Sequence, residues 1–389
     1  MRSIQLSYGC VCEDKKRREY NRSFLFGKNF SAPAFLPTPF RFAFNFPVCY
    51  FCCMNWHLLY IVGIISFAAS YMGTGAVLHA LRELQIMDLP NPRSNHLLPT
   101  PRGGGIAVTS TVLIGLMIAA LDSALMPALF PVIVSLVLLG LVSWRDDLRP
   151  LSGKWRLLAQ IACVTFSLRL LFHDQLLFHG ILPPLADKFL AGLLWVWFIN
   201  LYNFMDGIDG ITGSQTLVVC TGIIVVAAGA SLPFPTAIYA AIIGAAAIGF
   251  LCWNWHPARL FLGDVGSIPL GYAVGWLLLS LAYRGYWPAA LILPAYYLAD
   301  SGITLARRIR RRERIWEAHS QHFYQRAARA GKSHSQVVLS ITLANILLLL
   351  LALASTTPHA HPMMHLALAA AVAGGLILIL HMQAAPRKD

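Results

Sequence analysis

An amide and two carboxylates recur every third residue in Asn203-Phe-Met-Asp206-Gly-Ile-Asp209-Gly210, at the end of an apolar run from Phe189 to Met205. On a helix end that interval lines the three side chains along one side. Their oxygens are hard donors of the kind Mg²⁺ takes. Two further acidic boxes share the layout, Asp146-Asp147 after Trp144-Arg145 and Gly263-Asp264-Val-Gly266-Ser267. The chain uses acids sparingly, 17 Asp and Glu in 389 residues. A carboxylate at a membrane edge costs desolvation free energy, so acids kept there point to function. Asp146 and Asp147 stay ionised side by side only if a cation shares them or one takes a proton. Gly263 and Gly266 suit a tight turn that presents Asp264, and a helix starting near Ser267 would aim backbone N–H groups at an anion. Plainer readings exist for each box: a polar helix end, an Asp N-cap, a solvated turn.

Cationic groups stand near these acids. Lys154 and Arg156 close the loop after Asp147 and could meet a phosphate. Arg93, His96 and Arg102 are anion-ligand candidates in the proline-stiffened segment from Asp88 to Gly105, which otherwise reads as a rigid connector. His319 and His322, three apart in the basic loop after Arg314, share a helix face. They could contact a diphosphate or donate a proton, or simply line a solvated helix. Asp300 is the one acid inside an apolar run, where it could pair with Arg307 or Arg308 or reach the site.

The elements that must position these groups are membrane spans. Hydrophobic residues make up 57% of the chain and charged residues 12%, against about a quarter charged in soluble proteins. Apolar runs of about 20 residues recur, the length a bilayer demands. Strand-like alternation is absent, which argues against an outer-membrane barrel. The fold class is therefore all-α and polytopic. Eleven spans are expected, at 56–81, 103–121, 128–144, 155–172, 188–205, 214–230, 234–251, 266–283, 287–306, 335–354 and 362–381.

The formal charge of +13 reads as a topology signal rather than as nucleic-acid binding, because its largest block, Arg307 to Arg314, lies just beyond an apolar run. Threading the eleven spans puts nearly all Lys and Arg on one side, which is then cytosolic. All three acidic boxes and the His loop fall on that same side. Trp195, Trp197, Trp253, Trp255 and Trp287 read as interface-belt residues. Cys163, Cys220 and Cys252 have no metal-ligand spacing and read as core packing. Residues 1–53 are basic, rich in Phe, Pro and Cys and without helical period. They are expected to be a disordered extension, or to lie upstream of a natural start at Met54, with 54–389 forming one integral-membrane domain.

With these residues on the page, the chain resembles the polyprenyl-phosphate N-acetylhexosamine-1-phosphate transferases. The likeness runs from Asp88 to Lys332 through five boxes in order: Pro-Thr-Pro-Arg-Gly-Gly-Gly, Asp146-Asp147, Asn203 to Gly210, Phe261 to Ser267, and His319/His322. The resemblance implies that a lipid phosphate attacks the β-phosphorus of a UDP-activated N-acetyl sugar and UMP leaves. It implies Mg²⁺ (or Mn²⁺), with Asn203 and Asp264 at the metal, Asp206 and Asp209 serving nucleotide and metal, and Asp146 or Asp147 deprotonating the lipid phosphate. The implied partners are a UDP-N-acetyl sugar, undecaprenyl phosphate and the lipid bilayer of the bacterial cytoplasmic membrane, with a homodimer as a compatible assembly. Muramoyl-pentapeptide enzymes carry consecutive His in the last cytosolic loop. The sequence His319-Ser-Gln-His322 favours a small sugar and O-antigen-type glycan synthesis instead. Phospho-MurNAc-pentapeptide transfer proper and a multi-pass transporter are the alternatives. A transporter would place its ionisable groups near mid-membrane.

Overall fold

A computed structural model describes residues 55–88, 99–230, 232–314, 320–357 and 360–384. The expected extension 1–53, Met54, Arg93, His96 and His319 lie outside the described residues.

The described chain is helical throughout: α1 (Trp56–Glu83), α2 (Gly105–Ala119), α3 (Met126–Leu148), α4 (Gly153–Leu171), α5 (Pro184–Phe204), α6 (Ile211–Gly229), α7 (Phe234–Asn254), α8 (Asp264–Leu281), α9 (Trp287–Ile292), α10 (Ala295–Arg310), α11 (Phe323–Arg329), α12 (His334–Ala354) and α13 (Pro362–Gln383). The only strands among the described residues are the pairs β1 (Met87–Asp88) and β2 (Thr100–Pro101), joined antiparallel. Proline sets the boundaries. It occupies the first or second position of α3, α5, α7, α9 and α13, where its missing N–H costs nothing.

Each of the eleven expected spans contains helix. Among the described residues eight helices are long and apolar enough to cross a membrane, one of them running from Asp264 to Ile292; α4, on the expected 155–172 span, is not one of the eight. The 103–121 segment yields the shorter apolar helix α2. The 287–306 segment is broken at Leu293-Pro294 into α9 and α10, because a proline there cannot continue the preceding turn.

Burial orders the helices. The Asp264–Ile292 span is 89% buried, whereas α1 and α13 are 22% and 33% buried. So α8 runs through the centre, and the outer helices turn Ile61, Ile64, Met72, Met363 and Leu378 outward, onto surface that lipid would cover. Close approach to α8 requires glycine. A Cβ on Gly105 would lie 2.2 Å from Cα of Gly266, so α2 and α8 touch backbone to backbone next to Asp264. Trp195 departs from its expected interface role. It is 1% exposed, stacked on Tyr272 at 4.9 Å, with its indole N–H donated to the Tyr272 carbonyl at 3.1 Å. An indole with a polar partner in reach is accommodated inside the bundle as readily as at its rim.

Candidate active site

Two of the boxes are laced together through main chain. The Phe261 N–H donates to the Pro101 carbonyl at 2.8 Å, and Gly103 and Gly104 return hydrogen bonds to the Phe261 carbonyl at 3.1 and 2.9 Å. Gly105 adds one to Leu262 at 2.8 Å. This lacing puts Arg102 beside the start of α8.

Asp147, in the last turn of α3, completes that corner. Its oxygens accept the backbone N–H groups of Asp264 (3.0 Å) and Val265 (2.9 Å), and Arg102 Nε lies 3.0 Å from Oδ1. The expectation that α8 starts near Ser267 with amides aimed at an anion is therefore corrected. The helix starts at Asp264, and its first amides are aimed at the Asp147 carboxylate. Asp264 receives a guanidinium on each oxygen, Arg102 Nη2 at 2.7 Å on Oδ1 and Arg156 Nη1 at 2.9 Å on Oδ2. The same Arg156 nitrogen reaches Asp146 Oδ2 at 2.8 Å, while Asp146 Oδ1 accepts the Leu151 N–H at 2.5 Å. Burial alone would lower the Arg102 pKa. The charges of Asp264, Asp147, Asp88 and Asp206 outweigh that and raise it.

The Asn203–Gly210 box meets this cluster from α5. Asn203 sits in the last turn of α5, and Asp206 in the loop beyond it. Burial, together with the charges of Asp264 and Asp147 and against that of Arg102, pushes Asp206 up to about 7. Asp209 faces a different neighbourhood. Its Oδ2 lies 2.7 Å from His256 Nδ1 and 3.2 Å from His334 Nδ1, and accepts the Ala258 N–H at 3.2 Å. Burial raises its pKa, but the bonds from His334 and His256 prevail and lower it. Next to it the Gly210 N–H donates to Asn254 at 2.8 Å. His256, His334 and Asn254 have no sequence signal of their own. Only the return of α7 and α12 to this loop brings them to Asp209.

His322 stands one residue before α11, 2% exposed, with Nδ1 3.0 Å from Asp300 Oδ1. The helix it precedes rests on the acidic loop. Tyr324 Oη donates to the Phe204 carbonyl at 3.0 Å, and a Cβ on Gly207 would come within 2.3 Å of that hydroxyl oxygen. Asp300 does not pair with Arg307 or Arg308 as the sequence suggested. Arg307 lies over the Phe323 ring at 4.7 Å, and Arg308 reaches Glu313 at 3.1 Å. Lys154 is exposed and has no ion pair among the described residues. Arg156, two residues further along α4 and so on a different side of the helix, takes the contacts. Of the residues singled out from sequence and described here, Asp146, Asp147, Asp264, Arg102, Arg156 and Asp206 form one charged cluster. Asp209 adjoins it through the same loop.

The donor chemistry fits a hard divalent cation. Four carboxylates against two guanidinium groups leave two negative charges when all are ionised, and every donor is oxygen. Asp209, His256 and His334 form a second, softer group, with ligand atoms within 4.8 Å of one another. Hydrogen bonds among them already account for that arrangement.

Comparison with known proteins finds a family and several relatives. The profile of glycosyl transferase family 4 matches residues 129–282, which contain Asp146, Asp147, Asn203, Asp206, Asp209 and Asp264. A Bacillus subtilis (strain 168) protein named "Probable undecaprenyl-phosphate N-acetylglucosaminyl 1-phosphate transferase" is 28% identical over 297 residues, 72% of this chain and 80% of that one. A decaprenyl-phosphate N-acetylglucosaminephosphotransferase of Mycolicibacterium smegmatis is 27% identical, covering 73% and 79%. A phospho-N-acetylmuramoyl-pentapeptide-transferase of Synechococcus sp. (strain JA-3-3Ab) is 31% identical, covering 54% and 66%. These likenesses support the superfamily of polyprenyl-phosphate N-acetylhexosamine-1-phosphate transferases. The chain is a multi-pass membrane phospho-sugar transferase.

Proposed function

We propose that the protein transfers an N-acetylhexosamine-1-phosphate from a UDP-sugar to undecaprenyl phosphate at the cytosolic face of the bacterial cytoplasmic membrane. The observation that carries this reading is the convergence of Asp146, Asp147, Asp206 and Asp264 with Arg102 and Arg156 at the ends of membrane helices. The reactants bring several negative charges together, and such a site must hold them. The lipid-phosphate oxygen attacks the β-phosphorus, the bond to the UMP oxygen breaks, and UMP leaves with its electron pair. One phosphoanhydride replaces another, so the step is close to balanced and added UMP drives it backward.

Asp264 and Asn203, the positions that the resemblance assigns to the metal, are the proposed place for Mg²⁺. When bound, the ion supplies charge neutralisation for the diphosphate and the departing UMP. Arg102 and Arg156, already aimed at Asp264, are the phosphate-facing cations. Both oxygens of Asp147 are committed to α8, so its part is to hold Asp264 in place. Asp206, with a pKa of about 7, is the carboxylate suited to exchange a proton with a phosphate whose second ionisation lies near 6. Asp209, held by two imidazoles, serves the nucleotide side. The separated histidines favour a small sugar and an O-antigen-type product.

The test is a panel of UDP-sugars with undecaprenyl phosphate in detergent, scored for UMP and for lipid-linked product. UMP release with one N-acetylhexosamine nucleotide, dependent on added Mg²⁺ and lost in Asp264→Asn, is expected. Wild-type turnover in Asp264→Asn would remove the metal assignment, and no UMP from any UDP-sugar would end the functional reading.

A further inference from the structure

Asp300 has no solvent exposure and no arginine or lysine partner among the described residues. Its two oxygens nevertheless collect five donors from two helices. Oδ1 lies 3.0 Å from His322 Nδ1 and accepts the Phe323 N–H at 3.2 Å and the Thr304 hydroxyl at 3.3 Å. Oδ2 accepts the Tyr296 hydroxyl at 3.0 Å and the Tyr324 N–H at 3.4 Å. The carboxylate thus caps α11 from α10, 22 residues away along the chain.

Capping by itself does not require a charge. The next helix, α12, is capped by the neutral Ser333, whose Oγ accepts the Gln336 N–H at 3.2 Å. A buried carboxylate is a costly way to do the same work. What distinguishes α11 is the imidazole immediately before it. A carboxylate that accepts a proton from Nδ1 selects one tautomer, leaving the lone pair on Nε2, and stabilises the ring when it gains a second proton. A neutral amide in the same place does neither reliably, since it can turn and donate to Nδ1 instead.

We propose that Asp300 is a positioning residue for the reaction, setting the tautomer and orientation of His322 beside the Asn203–Gly210 loop. The seating of α11 on that loop, through Tyr324 and Gly207, makes the ring's placement part of the site rather than a remote feature. The inference rests on the transferase reading above and on His322 acting in it.

The test compares Asp300→Asn, His322→Asn and the double variant of the full chain. Asp300→Asn keeps the shape and an acceptor for the helix amides. It is expected to lower kcat for UMP release by ~10–100-fold, to leave KM for the UDP-sugar within about threefold, and to lower thermal stability because its NH₂ must face groups that are themselves donors. The double variant is expected to be no slower than His322→Asn alone, because both remove the same function. Wild-type kcat in Asp300→Asn, or losses that multiply in the double variant, would reduce Asp300 to a helix cap. Histidine ¹⁵N resonances, assigned by difference against His322→Asn, provide a readout independent of turnover. The Nδ1–H tautomer should be present in the wild type and lost in Asp300→Asn. If the wild type released no UMP, the functional reading would fall, while an unchanged tautomer in Asp300→Asn would overturn the positioning role by itself.

Discussion

Replacing Asp147 by alanine separates anchoring from chemistry at this site. The side chain is 1% exposed and holds two backbone N–H groups at the start of α8, at 3.0 and 2.9 Å, plus Arg102 Nε at 3.0 Å. Removing a helix cap costs about 0.5–2 kcal/mol, and losing a charged hydrogen bond about 1.5–3 kcal/mol. Arg102 keeps its contact with Asp264 at 2.7 Å and is 38% exposed, so water recovers part of the second amount. The net expectation is a loss of about 2–4 kcal/mol. Asp264 loses its backbone anchor at the same time. A displacement of about 1 Å at a phosphoryl-transfer site costs on the order of 10²-fold in rate. Asp147→Asn should fall between the wild type and Asp147→Ala. Its oxygen can replace one acceptor, but its NH₂ would face a donor, a mismatch of about 1–3 kcal/mol. Thermal unfolding in detergent and UMP release, measured on the same preparations, check this. Unchanged thermal stability in Asp147→Ala together with lost turnover would refute the anchoring argument and return Asp147 to the chemistry as a proton acceptor.

UMP release should depend on pH through Asp206. Its folded pKa is raised to about 7, so the protonated form is favoured. The stability this contributes is fully present below the ordinary carboxylate value and is lost as pH rises through about 7. If the ionised form is the reactive one, kcat/KM rises ~tenfold per unit below about 7 and levels above it. A flat profile in the wild type, or the same rise in Asp206→Asn, would dissociate Asp206 from the reaction. Arg156→Gln should lower turnover far more than Lys154→Gln, since Arg156 spans Asp146 and Asp264 while Lys154 is exposed. Equal effects in a side-by-side UMP assay would contradict the placement. Gly207→Val puts a side chain where Tyr324 Oη would lie 2.3 Å from its Cβ. It should unseat α11 from the acidic loop, seen as faster proteolytic cleavage near residues 320–330 along with lost UMP release.

Much of this protein was legible in order along the chain. Apolar runs near bilayer length dictate helices, because no other open backbone can satisfy itself in lipid, and the bias of Lys and Arg dictates which ends share a side. The acids themselves stood out because they are few and stand at the ends of apolar runs. That is why Asp146, Asp147, Asp206 and Asp264 could be singled out from the sequence alone.

Partnership was decided only in three dimensions. Asp146 and Asp147 are adjacent and alike in sequence, yet one is bonded to Arg156 and the other binds the first amides of α8. Asp300, for which the sequence left open a pairing with arginines along its own helix or a reach to the site, bonds to a histidine in the following segment. His256 and His334 carried no pattern at all until α7 and α12 brought them to Asp209. Helix formation depends on each residue and its near neighbours, so local composition determines it. Which carboxylate meets which cation depends on how close α2 and α8 approach at Gly105 and Gly266, and on where Pro294 redirects the chain. Those are properties of packing between segments more than a hundred residues apart, and they exist only once the bundle has closed.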